Sequence, residues 1–337
     1  MTRAREQQIC CDDTHYYHCI SRVVRRAFLC GFDHSTQQDF EHRRQWVIDR
    51  LAEIDAVFCV DICAYAIMSN HYHLVLFIDK STVESLTDLE VIDRWRKLYK
   101  GPEIIEQFLK GDQLSASHHL LIDEIVEEWR SRLADISWYM RCLNEFIARK
   151  ANGEDNCTGR FWEGRFKSQA LLDEHALLTC MAYVELNPIR AKMASSPETS
   201  DFTSIKQRIE ESDDSNFSEE VEQGAAEISS IALKAFIIEN EVLKDQIPYH
   251  LKDYFHLVDW SGRAIIEGKR GCIDDQLPPI LQRLGIDAEY WCDAMQPKGS
   301  RYFSRAIGCR ARLQEYAKKL EVGWIKGIGL CTRLFPI

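Results

Sequence analysis

Two apolar runs joined by a short polar connection constrain this fold more than any other feature of the sequence. Residues 57–68 (VFCVDICAYAIM) and 72–78 (YHLVLFI) are rich in β-branched and aromatic side chains, and Ser69-Asn70 between them is typical of a tight turn. Runs so closely connected pair as antiparallel neighbours. The sequence therefore predicts a β-hairpin at the centre of an antiparallel sheet.

Four further segments on either side of the hairpin extend this sheet and cover it. Aromatic and apolar runs predict strands, and apolar residues repeated at helical spacing predict amphipathic helices. The predicted strands span residues 15–22 and 161–172, and the predicted helices span residues 39–57 and 136–151.

One more helix is predicted to start at Asp173 and Glu174, whose negative charge suits a helix N-terminus. It passes through Tyr183 and must end near Asn187, because the residue before a proline disfavours the helical conformation. The order of elements, β-α-β-β-α-β-α, predicts an α+β fold in which helices back an antiparallel sheet.

The chain has 337 residues, which is too long for one small domain, so we expect two. The first spans residues 1–209 and includes a charged helical insert at about 80–134, to which we assign no chemistry. Residues 210–227 are rich in Glu, Asp and Ser and predict an acidic linker. Residues 228–337 are expected to form a mostly helical C-terminal domain.

Composition excludes several classes of protein. The hydrophobic fraction of 45% and the charged fraction of 28% are those of a globular protein. The sequence has no apolar run of about 18 residues and no apolar stretch near its start, so we expect a cytoplasmic protein with no membrane partner. The 13 cysteines lack CxxC spacing, which favours buried free thiols over disulfides or a zinc site.

His71-Tyr72-His73 is the sharpest local motif in the chain. Side chains two residues apart in a strand point to the same face, so two imidazoles can converge on one cation. An isolated pair of this kind more often caps a strand or lies on its solvated face. His15 and His18, on the first predicted strand, are assigned no role.

Tyr183 and Asn187 form a second motif within the segment YVELNP. Residues four apart on a helix share a face, so a phenol and an amide oxygen can meet at one point in space. Taken alone, such a pair is more often a core tyrosine followed by a helix stop before Pro188. The interpretation depends on whether other motifs accompany it.

Three segments in this order, MSNHYHLVL (68–76), GRFWEGRFKS (159–168) and YVELNPIRA (183–191), resemble the REP-associated tyrosine transposases, which are relatives of the single-tyrosine HUH insertion-sequence transposases. The resemblance covers roughly residues 15–193. It implies a ferredoxin-like HUH nuclease core in residues 1–209. It also implies a single-stranded DNA substrate, often a hairpin, which is cleaved through a 5′-phosphotyrosine intermediate.

Carried over position by position, the resemblance assigns His71 and His73 to the metal-binding pair and Tyr183 to the nucleophile. Asn187 matches the polar residue that is expected to complete the metal site. Mg²⁺ or Mn²⁺ suits two ring nitrogens and a carboxamide, a ligand set that leaves positions open for substrate. A cation beside Tyr183 would also favour the phenolate, which is the reactive form of the nucleophile.

Residues 159–167 alternate cations with aromatic rings, a composition that suits a single DNA strand. We predict DNA contacts from Arg160, Arg165 and Lys167, together with Arg22 of the first strand; an ordinary strand with buried rings and solvated cations is the alternative. The net charge of −11 opposes a nucleic-acid partner. Residues 261–337, however, carry 13 Lys and Arg against 8 Asp and Glu.

A minimal family member would end soon after the tyrosine helix, whereas this chain continues. The basic excess of the extension and its Arg301–Arg305 segment (RYFSR) suggest binding to a DNA hairpin or duplex. A helical domain that only packs or self-associates would explain the extension equally well. We favour a monomer over a homodimer, because the extension could supply DNA-binding surface.

Two functions follow from these observations. The first is a transposase-like enzyme that cleaves and rejoins single-stranded or hairpin DNA with a divalent cation. The alternative is a DNA-binding protein derived from a transposase, in which catalysis has decayed. The intact set of His71, His73, Tyr183 and Asn187 favours the enzyme, because drift would be free to lose any of them.

Overall fold

The computed structural model describes residues 9–24, 28–33, 36–214, 231–237, 246–267, 278–296 and 305–335. The strands in these ranges are β1 (Tyr16–Arg22), β2 (Phe32–Asp33), β3 (Gln38–Asp39), β4 (Val60–Ile67), β5 (His71–Ile78), β6 (Lys167–Leu171), β7 (Phe236–Ile237), β8 (Ile247–His250) and β9 (Ala306–Ile307). The helices are α1 (Arg43–Asp55), α2 (Lys80–Ser85), α3 (Asp88–Arg96), α4 (Glu103–Lys110), α5 (Ala116–Leu133), α6 (Ile136–Glu154), α7 (Glu174–Glu185), α8 (Asn187–Arg190), α9 (Ser204–Asp214), α10 (Leu251–Glu267), α11 (Pro279–Arg283), α12 (Ala288–Met295), α13 (Arg310–Lys319) and α14 (Ile328–Leu334).

The main sheet has the strand order β4-β5-β1-β6-β9. The pairs β4-β5, β5-β1 and β1-β6 are antiparallel, and β9 lies parallel to β6. The backbone N–H of Met68 donates to the carbonyl of His71 at 2.8 Å, which closes the β4-β5 hairpin around Ser69 and Asn70. The predicted α+β class, with an antiparallel sheet and helices, is confirmed.

Helices cover both faces of this sheet. Helices α1 and α6 pack together on one face, where the Tyr72 hydroxyl donates to Asn144 Oδ1 of α6 at 2.8 Å. Helix α7 packs against β4, β5 and β6. Because side chains alternate along a strand, Tyr72 points toward α6 while the histidines on either side of it point toward α7.

The strand predicted from residue 161 begins only at Lys167, so the first half of that prediction was wrong. Before it, Trp162 makes a single bridge to Val23, and its indole N–H donates to the carbonyl of Asn144 at 2.7 Å. Residues 163–165 then bend away from the ladder, which leaves them exposed beside the sheet. Trp162, one of the aromatic residues that suggested a strand, is held instead by this hydrogen bond to α6.

The insert forms helices α2 to α5. Helices α2, α3 and α4 each pack against α5. Stacked or edge-on aromatic rings join α3 to α5 and to α6, namely Trp95, Tyr99, Trp129 and Trp138. Helix α4 ends at Gly111, whose φ of 77° is the left-handed conformation that favours glycine. The insert is therefore a packed helical layer on the face of the sheet that carries α6.

The C-terminal residues contribute to the same sheet and core, a contribution that the sequence did not reveal. Strand β9 pairs with β6, and α10 and α12 pack against α8 and α7. Helix α9 continues to Asp214, so the predicted acidic linker starts within a helix; residues 215–230, and the predicted DNA-binding segment at 301–304, lie outside the described residues. The division into two domains stays a prediction.

Two absences hold for the residues that the structure describes. No helix there is both long and apolar enough to span a membrane. None of the cysteines there forms a disulfide, and most of them, such as Cys63 and Cys180, are buried.

The carboxyl of Asp55 is expected to make the stability of this fold dependent on pH. Burial raises the pKa of its carboxyl from 3.8 to about 7, and the charge of Asp61 adds to the rise. The unfolded chain ionises this group at a lower pH than the folded protein, so stability should fall as the pH rises from about 4 to about 7. Asp55→Asn should remove this loss.

We therefore expect Asp55→Asn to unfold at a temperature several degrees above the wild type at pH 8, as measured by circular dichroism. Near pH 4 the two proteins should unfold at similar temperatures, which provides an internal control. Equal midpoints at pH 8 would contradict the assignment.

Candidate active site

A cavity of about 500 Å³ lies between the exposed part of the sheet and the end of helix α7. Strands β1, β5 and β6, the bend before β6, and helices α7 and α8 all contribute to its wall. The lining residues are His18, Ile20, Arg22, His71, His73, Glu163, Gly164, Arg165, Lys167, Gln169, Tyr183 and Asn187. Seven of the eight residues predicted from the sequence to form the site are among them.

His71 and His73 stand side by side on the wall that β5 provides. Their ring centroids are 4.9 Å apart and their planes lie at 74°. The neighbouring strand β1 is in a register that places Arg22 opposite His71 and Ile20 opposite His73. The predicted convergence of the two imidazoles on one face of a strand is thus what the structure shows.

Tyr183 and Asn187 enter the cavity from the opposite wall. Helix α7 starts at an N-cap in which the Asp173 carboxylate accepts from the N–H of Ala176, and it ends at Glu185. Asn187 begins the short helix α8 immediately afterwards, so both side chains line the same cavity. The ring centroids of Tyr183 and His73 are 6.4 Å apart, at an edge-on angle of 79°.

Helix α7 is anchored behind the site by Glu185, which is fully buried. Its carboxylate accepts hydrogen bonds from Ser204 at the start of α9, at 2.6 Å, and from Tyr254 of α10. Burial is the main cause that raises the pKa of Glu185 to about 7. The C-terminal helix α10 therefore helps to position the helix that carries Tyr183.

Arg190 lies directly behind Tyr183. The guanidinium carbon is 3.7 Å from the centroid of the tyrosine ring, and the side chain is buried. Within the described part of the chain, neither of its terminal nitrogens has a hydrogen-bond partner. Burial lowers the pKa of Arg190 to about 10, so it remains a cation near neutral pH.

The imidazoles of the site have specific partners. His71 Nδ1 lies 2.6 Å from Asn70 Oδ1, and His73 Nδ1 lies 2.8 Å from His18 Nε2. His18 Nδ1 in turn lies 2.6 Å from Gln169 Oε1. These contacts occupy one nitrogen on each of the two cavity-facing rings of the HxH motif.

Burial keeps these three imidazoles neutral near pH 7. It lowers the pKa of His71 and of His18 to about 4, and it lowers the pKa of His73 well below its ordinary value. The neighbouring cations, including Arg190, contribute in the same direction. Neutral imidazole is the form that binds a metal ion.

The predicted DNA contacts are placed unequally. Arg22, Arg165 and Lys167 line the cavity and are exposed. Arg160 is exposed but is not part of the lining, so its predicted contact has no support from this cavity. Glu163 is an acidic side chain among these cations that the sequence did not single out.

The sequence analysis missed His18 and Gln169, which line the cavity behind His73. Residues 18 and 22 share a face of β1 because side chains alternate along a strand. Once Arg22 was assigned to the site, the same alternation could have identified His18. Gln169 had no comparable signal, since its position depends on the pairing of β6 with β1.

The free energy of unfolding of an Arg190 variant tests whether the Arg190 guanidinium lacks a hydrogen-bond partner. A lone buried charge costs several kcal/mol in lost hydration, whereas its contact with an aromatic ring returns about 2 kcal/mol. Arg190→Met, which retains the apolar length of the side chain, should therefore raise the free energy of unfolding by about 1–2 kcal/mol, as measured by urea denaturation.

Arg43→Met provides the matched control. Arg43 is also buried but is paired with Glu154 at 2.6 Å and with Asp155, so its loss should lower the free energy of unfolding. If Arg190→Met were as destabilising as Arg43→Met, Arg190 would have to hold a partner of its own.

Comparison with known proteins gives little beyond this geometry. Neither a protein-family model nor a curated protein matches the chain. Among solved structures, the chain is similar to a REP-associated tyrosine transposase bound to a REP hairpin, with 11% sequence identity and a TM-score of 0.37. The alignment covers 71% of this chain and 100% of that one.

Proposed function

We propose that this chain is a metal-dependent tyrosine strand-transferase that cleaves and rejoins single-stranded or hairpin DNA. One observation carries the proposal: the Tyr183 phenol, the two imidazoles of the HxH motif, the Asn187 carboxamide and three cations line one cavity, although they come from distant parts of the chain. A nucleophile, metal ligands and phosphate-binding groups are the parts that such a reaction needs.

The fold supports the proposal in a second way. The first four long strands in chain order are β1, β4, β5 and β6, and they lie side by side as β4-β5-β1-β6. Helix α1 connects β1 to β4, and α6 precedes β6. This is the strand order expected of a ferredoxin-like βαββαβ core, to which we assign residues 15–193.

The donor atoms of the cavity suit Mg²⁺ or Mn²⁺. His71 and His73 offer ring nitrogens and Asn187 offers an amide oxygen, a mixed set that such ions accept. Among the described residues, no group of three or more His, Cys, Asp or Glu side chains could hold a metal, so the proposed ligands include the amide. A cation held by these residues would polarise the scissile phosphate and leave positions open for substrate.

Tyr183 is the proposed nucleophile. Its phenol oxygen would bond to phosphorus while the bond from phosphorus to the 3′ oxygen breaks, which leaves a 5′-phosphotyrosine. The proton lost by the phenol balances the one gained by the 3′ oxygen. Attack by a 3′-hydroxyl on the phosphotyrosine reverses the sequence and rejoins DNA without ATP, because the covalent bond stores the energy of the phosphodiester.

Arg22, Arg165 and Lys167 are proposed to hold the DNA backbone at the mouth of the cavity. Cations that meet phosphates supply most of the affinity for a single strand, and they do so against the overall charge of −11 because contact is local. The expectation that the protein is a monomer stays a prediction. A DNA substrate also fits the expected cytoplasmic location.

The nucleophile can be tested with labelled hairpin DNA and Mn²⁺ on a denaturing gel. The wild type should form a covalent protein–DNA adduct that requires the metal, and Tyr183→Phe should form none. Tyr290→Phe, on α12 and outside the cavity, is the matched control and should behave as the wild type.

The outcomes separate the enzyme from the decayed DNA-binding protein. Adducts that persist in Tyr183→Phe would refute the assigned nucleophile. If the wild type binds hairpins but yields neither adduct nor cleavage, the alternative of a transposase-derived DNA-binding protein gains support.

The DNA contacts can be tested by the salt dependence of binding. Arg165→Ala and Lys167→Ala should each weaken binding of single-stranded DNA and reduce the slope of log K against log salt by about 0.7. The measurement is fluorescence anisotropy at several salt concentrations. Arg149→Ala removes an exposed cation from α6, on the other side of the sheet, and should leave the slope unchanged.

An unchanged slope in both Arg165→Ala and Lys167→Ala would place the DNA elsewhere on the protein. A similar reduction in Arg149→Ala would show that the effect depends on overall charge and not on contact within the cavity.

A further inference from the structure

We infer that His18 and Gln169 are positioning residues that hold the His73 ring in the one tautomer able to bind a cation through Nε2. The three side chains form a hydrogen-bonded chain across neighbouring strands, from Gln169 on β6 through His18 on β1 to His73 on β5. The inference rests on the proposed function, because the cation is part of that proposal.

The direction of each hydrogen bond in this chain follows from the chemistry of its ends. An amide oxygen can only accept, so His18 Nδ1, at 2.6 Å from Gln169 Oε1, carries a hydrogen. In a neutral imidazole the other nitrogen is then an acceptor. His73 Nδ1, at 2.8 Å from His18 Nε2, must therefore donate, which leaves the lone pair of His73 on Nε2.

The register of the sheet builds this chain of side chains. His18 lies directly opposite Gln169 in the pairing of β1 with β6. In the pairing of β1 with β5, His73 lies opposite Ile20, two residues along from His18 and on the same face. The rings of His18 and His73 are also stacked, with centroids 5.1 Å apart and planes at 18°. Rotation of His73 would lose both contacts.

His71 reaches the same state through a local contact. Its Nδ1 lies 2.6 Å from the side-chain oxygen of Asn70, the preceding residue, so that nitrogen carries the hydrogen and Nε2 carries the lone pair. Both imidazoles of the HxH motif therefore present the same nitrogen. A cation bound by both rings would require this, because each ring must offer a lone pair on the nitrogen that faces it.

Packing alone does not account for these two polar residues. His18 is fully buried and Gln169 is nearly so, yet each faces the cavity and not the apolar core of the sheet. An apolar side chain at either place would avoid the cost of burying polar atoms. Partners that orient a ligating histidine commonly change metal affinity about tenfold to a hundredfold when they are removed.

The experiment uses the full chain freed of metal. Mn²⁺ is titrated into the wild type, His18→Phe, Gln169→Met and Gln169→Glu by calorimetry. His18→Phe and Gln169→Met retain much of the side-chain volume but break the chain of hydrogen bonds, so they should bind Mn²⁺ about tenfold to a hundredfold more weakly. Gln169→Glu retains the acceptor and should bind at least as well as the wild type.

A second readout reports the tautomer directly and needs no metal. In protein labelled with ¹⁵N-histidine, the nitrogen chemical shifts of His73 should show hydrogen on Nδ1 in the wild type and in Gln169→Glu. They should move toward the other tautomer in His18→Phe and Gln169→Met. Thermal unfolding of each variant shows whether it is folded. If His18→Phe is unfolded, the comparison of Gln169→Met with Gln169→Glu decides whether the tautomer depends on the hydrogen bonds.

The outcomes separate this inference from the proposed function. One outcome is that the wild type binds Mn²⁺, His73→Ala does not, and both His18→Phe and Gln169→Met bind as the wild type does. This outcome refutes the positioning role of His18 and Gln169 and leaves the proposed metal site intact. If the wild type binds no Mn²⁺, the proposed metal site fails, and the positioning role of His18 and Gln169 fails with it. If the His73 tautomer is unchanged in both His18→Phe and Gln169→Met, the inference is refuted whether or not Mn²⁺ binds.

Discussion

Strand β1 lies between β5 and β6 and hydrogen-bonds to both, and the candidate site depends on this double pairing. It sets His18 opposite Gln169 and brings Arg22 beside His71. A shift of one residue in either register would turn these side chains to the opposite face of the sheet, on which α6 packs. The apolar residues on that face prevent such a shift, so the core holds the site in register.

The wall of the cavity formed by α7 and α8 depends on buried polar groups, and burying them costs stability. Helix α7 is tied to α9 and α10 through the Glu185 carboxylate, and Arg190 places a buried cation behind Tyr183. Neither group is a favourable choice for a core that serves packing alone. Their position around Tyr183 fits the role proposed for that side chain, which needs a fixed phenol next to positive charge.

Charge is distributed unevenly around this site. The chain as a whole is acidic, yet the mouth of the cavity carries three cations close to the imidazoles and Tyr183. Because screening limits the reach of exposed charges to about 10 Å at moderate salt, the local set matters more to a bound phosphate than the total does. The acidic total still predicts that binding away from the cavity is weak.

The sequence by itself determined whatever depends on spacing within one element. The hairpin followed from its turn, and the common face of His71 and His73 followed from the strand period. The spacing of Tyr183 and Asn187 placed them near each other, although the helix ends at Glu185 and Asn187 begins the next one. Tertiary structure alone decided which elements meet. Strand β9, Gln169 and the contact between His18 and His73 depend on pairings between segments 55 to 151 residues apart. Local periodicity does not encode such pairings, because they are selected by packing of the whole core.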